Sequence, residues 1–308
     1  MRRILVLRGG ALGDFIVTLP ALALLRQRWP AAEIELVGNA AAAALARSRG
    51  LLTSVFSQHD RRWIALYGND PLPAEMAAWL ANFDLVLNYW PDPDGELQRR
   101  FPVRPGQRFL TKAALPECAP AAAHYCQPLA QLGLTTNDYN VHLAEHLGAN
   151  ADAAGPIIIH PGSGSSRKNW PMERWLELIP QLPAQVLVIL GEAELPRWSR
   201  LTTTGFQEVP PPSNQRVGDN TLHLVNQPLE ELVVHFSRCR LFLGHDSGIS
   251  HLAAACGAPC LLLFGPTDPA MWAPPAPRVR TIRRGQVLDS ISVEDVCRAL
   301  LAALADPK

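Results

Sequence analysis

The strongest constraint on this chain is an alternation that runs almost from end to end. Short runs rich in β-branched residues and leucine take turns with stretches of helical spacing. Residues 4–7, 34–37, 85–87 and 108–110 read as strands, and 14–28, 40–48, 74–81 and 121–132 as helices. The pattern restarts with strands over 156–160, 186–190, 240–243 and 260–264 and helices over 172–179, 229–236, 248–255 and 293–304. Strands apolar on both faces have no side for water, so helices must cover the sheet above and below, and the strands run parallel. Two such series predict an α/β chain of two doubly wound domains, which 308 residues accommodate. The expected domains are 1–150 and 151–290, with 291–308 as a C-terminal helix. The seam falls in a small-residue, polar stretch over 145–155. No internal repeat is visible, and 58–73 and 90–107, rich in Pro, Asp, Arg and aromatics, resist assignment.

Composition removes several classes of function. Lys and Arg number 28 and Asp and Glu 28, so no global field is available to hold nucleic acid, and any bound anion must be met by local groups. A hydrophobic share of 48% excludes a disordered chain. No stretch reaches the ~18 uninterrupted apolar residues of a membrane span. The basic-then-apolar start, Arg2-Arg3 followed by Ile4 to Leu7, is cut at Arg8, short of the ~7–15 apolar residues of a signal peptide. It reads as a buried first strand. The six cysteines form no C-x-x-C pair and have no His at zinc spacing, and Cys239, Cys256 and Cys260 sit among apolar neighbours as small hydrophobes. The expectation is a soluble protein of a reducing, cytoplasmic compartment.

Three segments could carry chemistry, each following a strand and opening a helix. The first is Arg8-Gly9-Gly10-Ala11-Leu12-Gly13-Asp14. Its glycines let the backbone turn sharply and approach a ligand, and the helix start favours an anion. It is not the dinucleotide fingerprint G-x-G-x-x-G, because Gly10 and Gly13 fit but the first position falls on Arg8. Asp14 reads either as a first-turn carboxylate stabilised by the helix dipole or as a general base at the strand's C-terminal edge. The second segment runs from His160 through Gly162, Ser163, Arg167 and Lys168 to Pro171. Open backbone amides and compact positive charge suit a phosphate, although the P-loop spacing does not match; otherwise it is a flexible loop with a solvated basic pair. The third is Gly244-His245-Asp246-Ser247-Gly248-Ile249-Ser250-His251, followed by Phe264-Gly265-Pro266-Thr267-Asp268-Pro269. Backbone donors, a helix dipole and His251 make a cradle for a diphosphate. Ser247 sits one place too late for a nucleophile elbow.

No metal site is expected. Asp92 and Asp94 form a D-x-D, but in a Pro-rich surface loop remote in sequence from the phosphate segments. Arg61, Arg62, Arg99, Arg100 and Arg104 could form a basic patch toward phosphorylated sugars or a membrane surface, or could each be solvated. Zero net charge argues against strong attraction to anionic lipid.

Taken together, the three segments resemble glycosyltransferase family 9, the ADP-heptose:lipopolysaccharide heptosyltransferases. The likeness rests on Arg8 to Asp14 with Leu19-Pro20-Ala21-Leu22, on Arg167-Lys168-Asn169-Trp170-Pro171 with Arg174-Trp175, and on Asp246 to Ala254 with Phe264 to Pro269. It implies a GT-B architecture, two Rossmann-like domains facing across a cleft, with the C-terminal helix returning toward the first. It implies inverting, metal-independent transfer of heptose from ADP-heptose to a lipopolysaccharide-core hydroxyl, with no cofactor. Other donors, or acceptors in O-antigen, capsule or natural products, fit the same pattern, and a non-catalytic nucleotide-binding protein is the remaining alternative. Asp14 aligns with the family's base, Lys168 with its phosphate and ribose contact, and Asp246 with its donor-sugar contact. Ser247, Gly248 and His251 fall where the family holds the diphosphate. Gly10, Gly13 and Ser163 complete the expected substrate contacts. Glu194 falls near the ribose carboxylate, with Glu192 left open because Gly191-Glu192-Ala193-Glu194 is tighter than usual. The implied partners are a nucleotide sugar and a lipid-linked saccharide, with at most peripheral contact at the inner face of the inner membrane.

Overall fold

In a computed structural model, residues 1–101, 104–147, 154–201, 215–216 and 221–305 are described. The expected seam lies partly outside them, at 148–153. The chain divides into two compact units, Met1–Val141 and His142–Lys308, so the division falls just before that seam.

The first unit runs β1 (Arg3–Arg8), α1 (Leu12–Ile16), α2 (Leu19–Arg28), β2 (Glu33–Gly38), α3 (Ala40–Ser48), β3 (Ser54–Ser57), α4 (Ala74–Ala81), β4 (Leu85–Asn88), α5 (Glu96–Arg100), β5 (Arg108–Thr111) and α6 (Ala121–Cys126). Ile4, Leu5, Val6 and Leu7 of β1 are fully buried, which places that strand at the centre. The sheet order is β3-β2-β1-β4-β5, all parallel. Order therefore reverses between β1 and β4, and the segment after β1 emerges at that switch point. Beneath one face lies an apolar cluster with Trp63, Phe83 and Trp90 at its heart.

Two expected helices are broken by proline. The helix expected over 14–28 is α1 and α2, because Pro20 has no N–H to continue the ladder and sits instead in the first turn of α2. The helix expected over 121–132 ends at Cys126 and continues as a 3₁₀ segment, Gln127–Leu132, with Pro128 in its first turn. The short edge strand β3 falls next to the unassigned 58–73 stretch; only Val55 and Phe56 are apolar in it, too few to make a pattern.

The second unit runs β6 (Ile157–Ile159), α7 (Met172–Leu178), β7 (Val186–Leu190), α8 (Leu195–Leu201), β8 (Gln215–Arg216), β9 (Thr221–Val225), α9 (Leu229–Arg238), β10 (Leu241–His245), α10 (Gly248–Ala255), β11 (Cys260–Phe264), α11 (Pro269–Trp272), β12 (Val279–Arg283) and α12 (Val293–Ala305). Its sheet order is β12-β11-β10-β6-β7-β9-β8, parallel except for β8 against β9. The switch point lies between β6 and β10. The segments holding Lys168 and Asp246 follow those two neighbouring strands.

The core of this unit joins Ile157, Val188, Leu243 and Leu263 of the sheet to Trp170, Trp175 and Trp198. Val296, Leu300 and Ala303 of α12 belong to the same core. Leu300 is 1% exposed, so Leu300→Ala should cost about 2–5 kcal/mol through lost burial and the cavity left behind. Urea unfolding should show a lowered midpoint for the second unit with the slope unchanged.

Candidate active site

At the C-terminal end of β1, Arg8 is a buried cation, 4% exposed, and the local structure is built to satisfy it. Its Nη2 donates to Asp14 Oδ1 at 3.2 Å and to the Tyr125 hydroxyl at 3.0 Å, and its Nε to the Asp14 carbonyl at 3.0 Å and Thr18 Oγ1 at 3.1 Å. The guanidinium lies 4.5 Å from the Tyr125 ring centroid, a cation–π contact. Asp14 Oδ2 accepts the Ala11 N–H at 2.9 Å, the carboxylate half of a capping box. Asp14 thus does what an acidic first-turn residue ordinarily does, while its side chain remains 35% exposed.

Gly10 has φ +109, and a Cβ there would stand 2.6 Å from Asp14 Oδ2, so only glycine fits. Its N–H donates to Gln58 Oε1 at 3.0 Å, and Gln58 Nε2 donates back to its carbonyl at 3.3 Å. The Gly10 amide, expected to face a ligand, is therefore held by the protein. Gly13 lies inside α1, its carbonyl taking the Val17 N–H at 3.1 Å. Sequence reasoning missed Gln58. The one available signal was its place directly after a strand, and that strand was itself not assigned.

In the second unit the expected residues meet. Lys168 Nζ donates to Asp246 Oδ2 at 2.7 Å, and His251 Nε2 stands 4.0 Å from Asp246 Oδ1. Asp246 is 7% exposed, and a carboxylate so buried is tolerable only when paired. Ser247 caps α10, its Oγ accepting the Ser250 N–H at 3.3 Å and lying 3.0 Å from Ser250 Oγ. Gly248 opens the helix. Lys168, Asp246, His251 and the start of α10 therefore form one charged cluster at the switch point.

Glu194 lies at the neighbouring strand ends. Its Oε2 accepts the Gly191 N–H at 2.9 Å, and a Cβ on Gly162 would collide with its Oε1. Glu192 is exposed instead. Ser163 Oγ organises its own loop, donating to the Ser165 carbonyl at 2.8 Å and meeting Asn169 Oδ1 at 2.6 Å. His245, passed over in the sequence, is fully buried; its Nε2 accepts the Trp170 N–H at 2.9 Å. Thr267, also without an assigned role in the sequence, has a buried Oγ1 with no hydrogen-bond partner.

Asp92 spends its carboxylate on the backbone of α5, accepting from Leu97 N at 2.8 Å and Gln98 N at 3.1 Å. Arg99 and Arg104 donate to the carbonyls of Asp94 and Ala81, and Arg100 to those of Ala65 and Asp70. Arg62 pairs with Asp60 and lies over Phe56 and Trp63. Four arginines of the suggested basic patch therefore brace loops. Among the described residues no group of three or more His, Cys, Asp or Glu is arranged to hold a metal ion.

The sequence model of glycosyltransferase family 9 (heptosyltransferase) matches residues 127–302, more than half of the chain. The chain belongs to glycosyltransferase family 9. This glycosyltransferase is 22% identical over 306 residues to lipopolysaccharide heptosyltransferase 1 of Escherichia coli (strain K12), across 87% of its own length and 89% of the relative's. A family 9 glycosyltransferase structure from Veillonella parvula DSM 2008 superposes with TM-score 0.74 at 20% identity, covering 99% of this chain and 97% of that one. The structure of E. coli heptosyltransferase WaaC with ADP superposes with TM-score 0.73 at 20% identity, covering 98% and 99%. These likenesses show the fold, an α/β GT-B pair of Rossmann-like units.

Burial favours the neutral form of several histidines of this glycosyltransferase. Burial pushes His245 down to about 3 and His223 down to about 4. The same desolvation lowers His160, His124 and the half-buried His235. The unfolded chain takes up these protons below about pH 6.5 while the folded chain does not, so stability falls as pH drops from there toward each folded value. Each histidine contributes a limiting slope of about 1.4 kcal/mol per pH unit inside its window. Denaturant midpoints from pH 8 to 5 should be level above about 6.5 and decline below it.

Proposed function

We propose that this glycosyltransferase moves heptose from ADP-heptose to a hydroxyl of the lipopolysaccharide core, with inversion and without a divalent ion or cofactor. The observation that carries the reading is the Lys168–Asp246–His251 cluster at the start of α10, on the switch point of the second sheet. Open α/β sheets bind ligands at that point. The relatives' names supply the sugar: two of them are lipopolysaccharide heptosyltransferases 1 and 2, of E. coli and Salmonella typhimurium.

In this reading the acceptor oxygen attacks the anomeric carbon as the bond from that carbon to the β-phosphate oxygen breaks. ADP leaves with the electron pair, and Asp14 takes the acceptor's proton. The growing charge on ADP is met by Lys168, His251 and the amides of Ser247 and Gly248, each such donor worth about 2–4 kcal/mol in the transition state. Asp246 faces the donor sugar. Glu194, whose carboxylate sits against the Gly162 and Gly191 backbones, takes the ribose in preference to the exposed Glu192. Gly10 and Gly13 shape the loop beside Asp14, and Ser163 shapes the phosphate loop.

The acceptor is a lipid-linked saccharide, met at the cytoplasmic face of the inner membrane through peripheral contact. No described helix is long and apolar enough to cross a membrane. One observation favours a non-catalytic nucleotide-binding protein instead: both Asp14 oxygens already have partners, Arg8 and the Ala11 N–H.

Release of ADP from ADP-heptose in the presence of a deep-core acceptor decides between them. Asp14→Asn keeps an oxygen for the Ala11 N–H but removes the counter-charge of Arg8, so, once folding is confirmed by circular dichroism, the variant should retain ADP affinity while turnover falls about 10²–10⁴-fold. Lys168→Met should instead weaken ADP binding about tenfold or more. Undiminished turnover in Asp14→Asn removes Asp14 as the base. Release from another nucleotide sugar alone changes the donor, and ADP binding with no turnover on any donor supports the non-catalytic reading.

A further inference from the structure

His245 closes β10 and immediately precedes Asp246, yet nothing in the transfer mechanism uses it. The ring is fully buried, so no substrate reaches it. Its partners fix its state. A backbone N–H can only donate, so the ring nitrogen receiving the Trp170 N–H at 2.9 Å, Nε2, carries the lone pair. Nδ1 then carries the proton and faces the Gly162 carbonyl, which can only accept, at 3.4 Å. Trp175 packs edge-on against the imidazole with centroids 5.3 Å apart, and Trp170 packs edge-on against Trp175 at 5.1 Å. The Trp170 indole N–H is itself tied to the Ile291 carbonyl at 2.9 Å.

Gly162 and Trp170 are the two ends of the loop that carries Ser163 and Lys168. One imidazole therefore grips both ends of that loop. The loop returns to the same strand end a second time, because Lys168 pairs with Asp246, the next residue along the chain. The result is a closed ring: His245 to Gly162, along the loop to Lys168, across to Asp246, and back through one peptide bond.

We propose that His245 is a positioning residue for the nucleoside-diphosphate subsite, holding the 163–169 loop so that Lys168 and the loop amides meet the phosphates without contacting them itself. This rests on the donor reading given above. Histidine suits the task because it offers an acceptor and a donor at fixed separation on a rigid ring. Glutamine can present an oxygen near the Nε2 position alone, asparagine a donor near Nδ1 alone, and leucine neither. Burial pushes the group down to about 3, so the grip holds through the neutral range.

The test is calorimetric titration with ADP, on variants first confirmed as folded by near-ultraviolet circular dichroism. His245→Leu should raise the ADP Kd about tenfold or more, and His245→Gln should restore it to within about threefold of the parent protein. Amide exchange should quicken at Trp170 and across 163–169 in the leucine variant and recover in the glutamine one. His245→Asn, which loses only the Trp170 acceptor, gives the same reading if the leucine variant does not fold. A folded leucine or asparagine variant that binds ADP as tightly as the parent overturns the proposal and leaves the donor reading intact. A folded parent protein that binds no ADP overturns the donor reading, and this assignment with it.

Discussion

A carboxylate almost out of reach of water cannot stay charged alone, and Asp246 at the end of β10 is such a group. Its partner, Lys168, comes from the segment after β6, the neighbouring strand on the other side of the switch point. Removing Lys168 would strand the buried carboxylate, which costs about 3–5 kcal/mol in buried settings. The pair therefore dictates where the 160–171 segment must lie. Once that segment is fixed, Ser163 folds onto Asn169, Trp170 fills the core beside Trp175, and the start of α10 is left beside a lysine.

The first unit solves a similar problem with the charges exchanged. There the buried group is a cation, Arg8, and its anion, Asp14, sits on the helix that follows the same strand. The arginine fork spreads its donors over Asp14, Thr18 and Tyr125, which binds β1, α1 and α6 together. In both units, then, an ion pair at the C-terminal end of a central strand orders the segment around it. Parallel sheets leave that end open, since their helices cover the faces and not the edges. It is where a polar group can be both structurally anchored and partly wet, as the 35% exposed Asp14 side chain and the 31% exposed Lys168 side chain are.

Much of this architecture was legible because burial on both faces writes itself into the chain. β1, β6, β7, β10 and β11 are continuous apolar runs and were readable as strands. β3, β9 and β12 were not, because Ser, Thr and Arg at their partly exposed positions, and the buried His223 in β9, blur the pattern. Helix limits failed at Pro20 and Pro128, where local backbone chemistry overrode spacing. At the sites, motif order gave the residues but not their partners. Lys168 and Asp246 are 78 positions apart, and only sheet topology brings their strands together. Gln58, His245 and Tyr125 act through geometry that no local pattern encodes.

Two glycines shape the strand ends where these sites form. In the sequence, Gly10 and Gly162 read as openings through which a ligand could approach the backbone. In the structure each makes room for a carboxylate of the protein itself: a Cβ at Gly10 would strike Asp14, and one at Gly162 would strike Glu194. Glycine at these positions lets an acidic side chain lie against the main chain just past a strand end. There, backbone N–H groups can hold it, Ala11 N–H for Asp14 and Gly191 N–H for Glu194. A carboxylate so held has few rotamers left to lose, so under the proposed transfer its orientation toward a sugar hydroxyl would be settled by folding rather than by binding. Placing the carboxylates in advance is thus part of the fold, and in the proposed reading the same small residues would serve both stability and the chemistry.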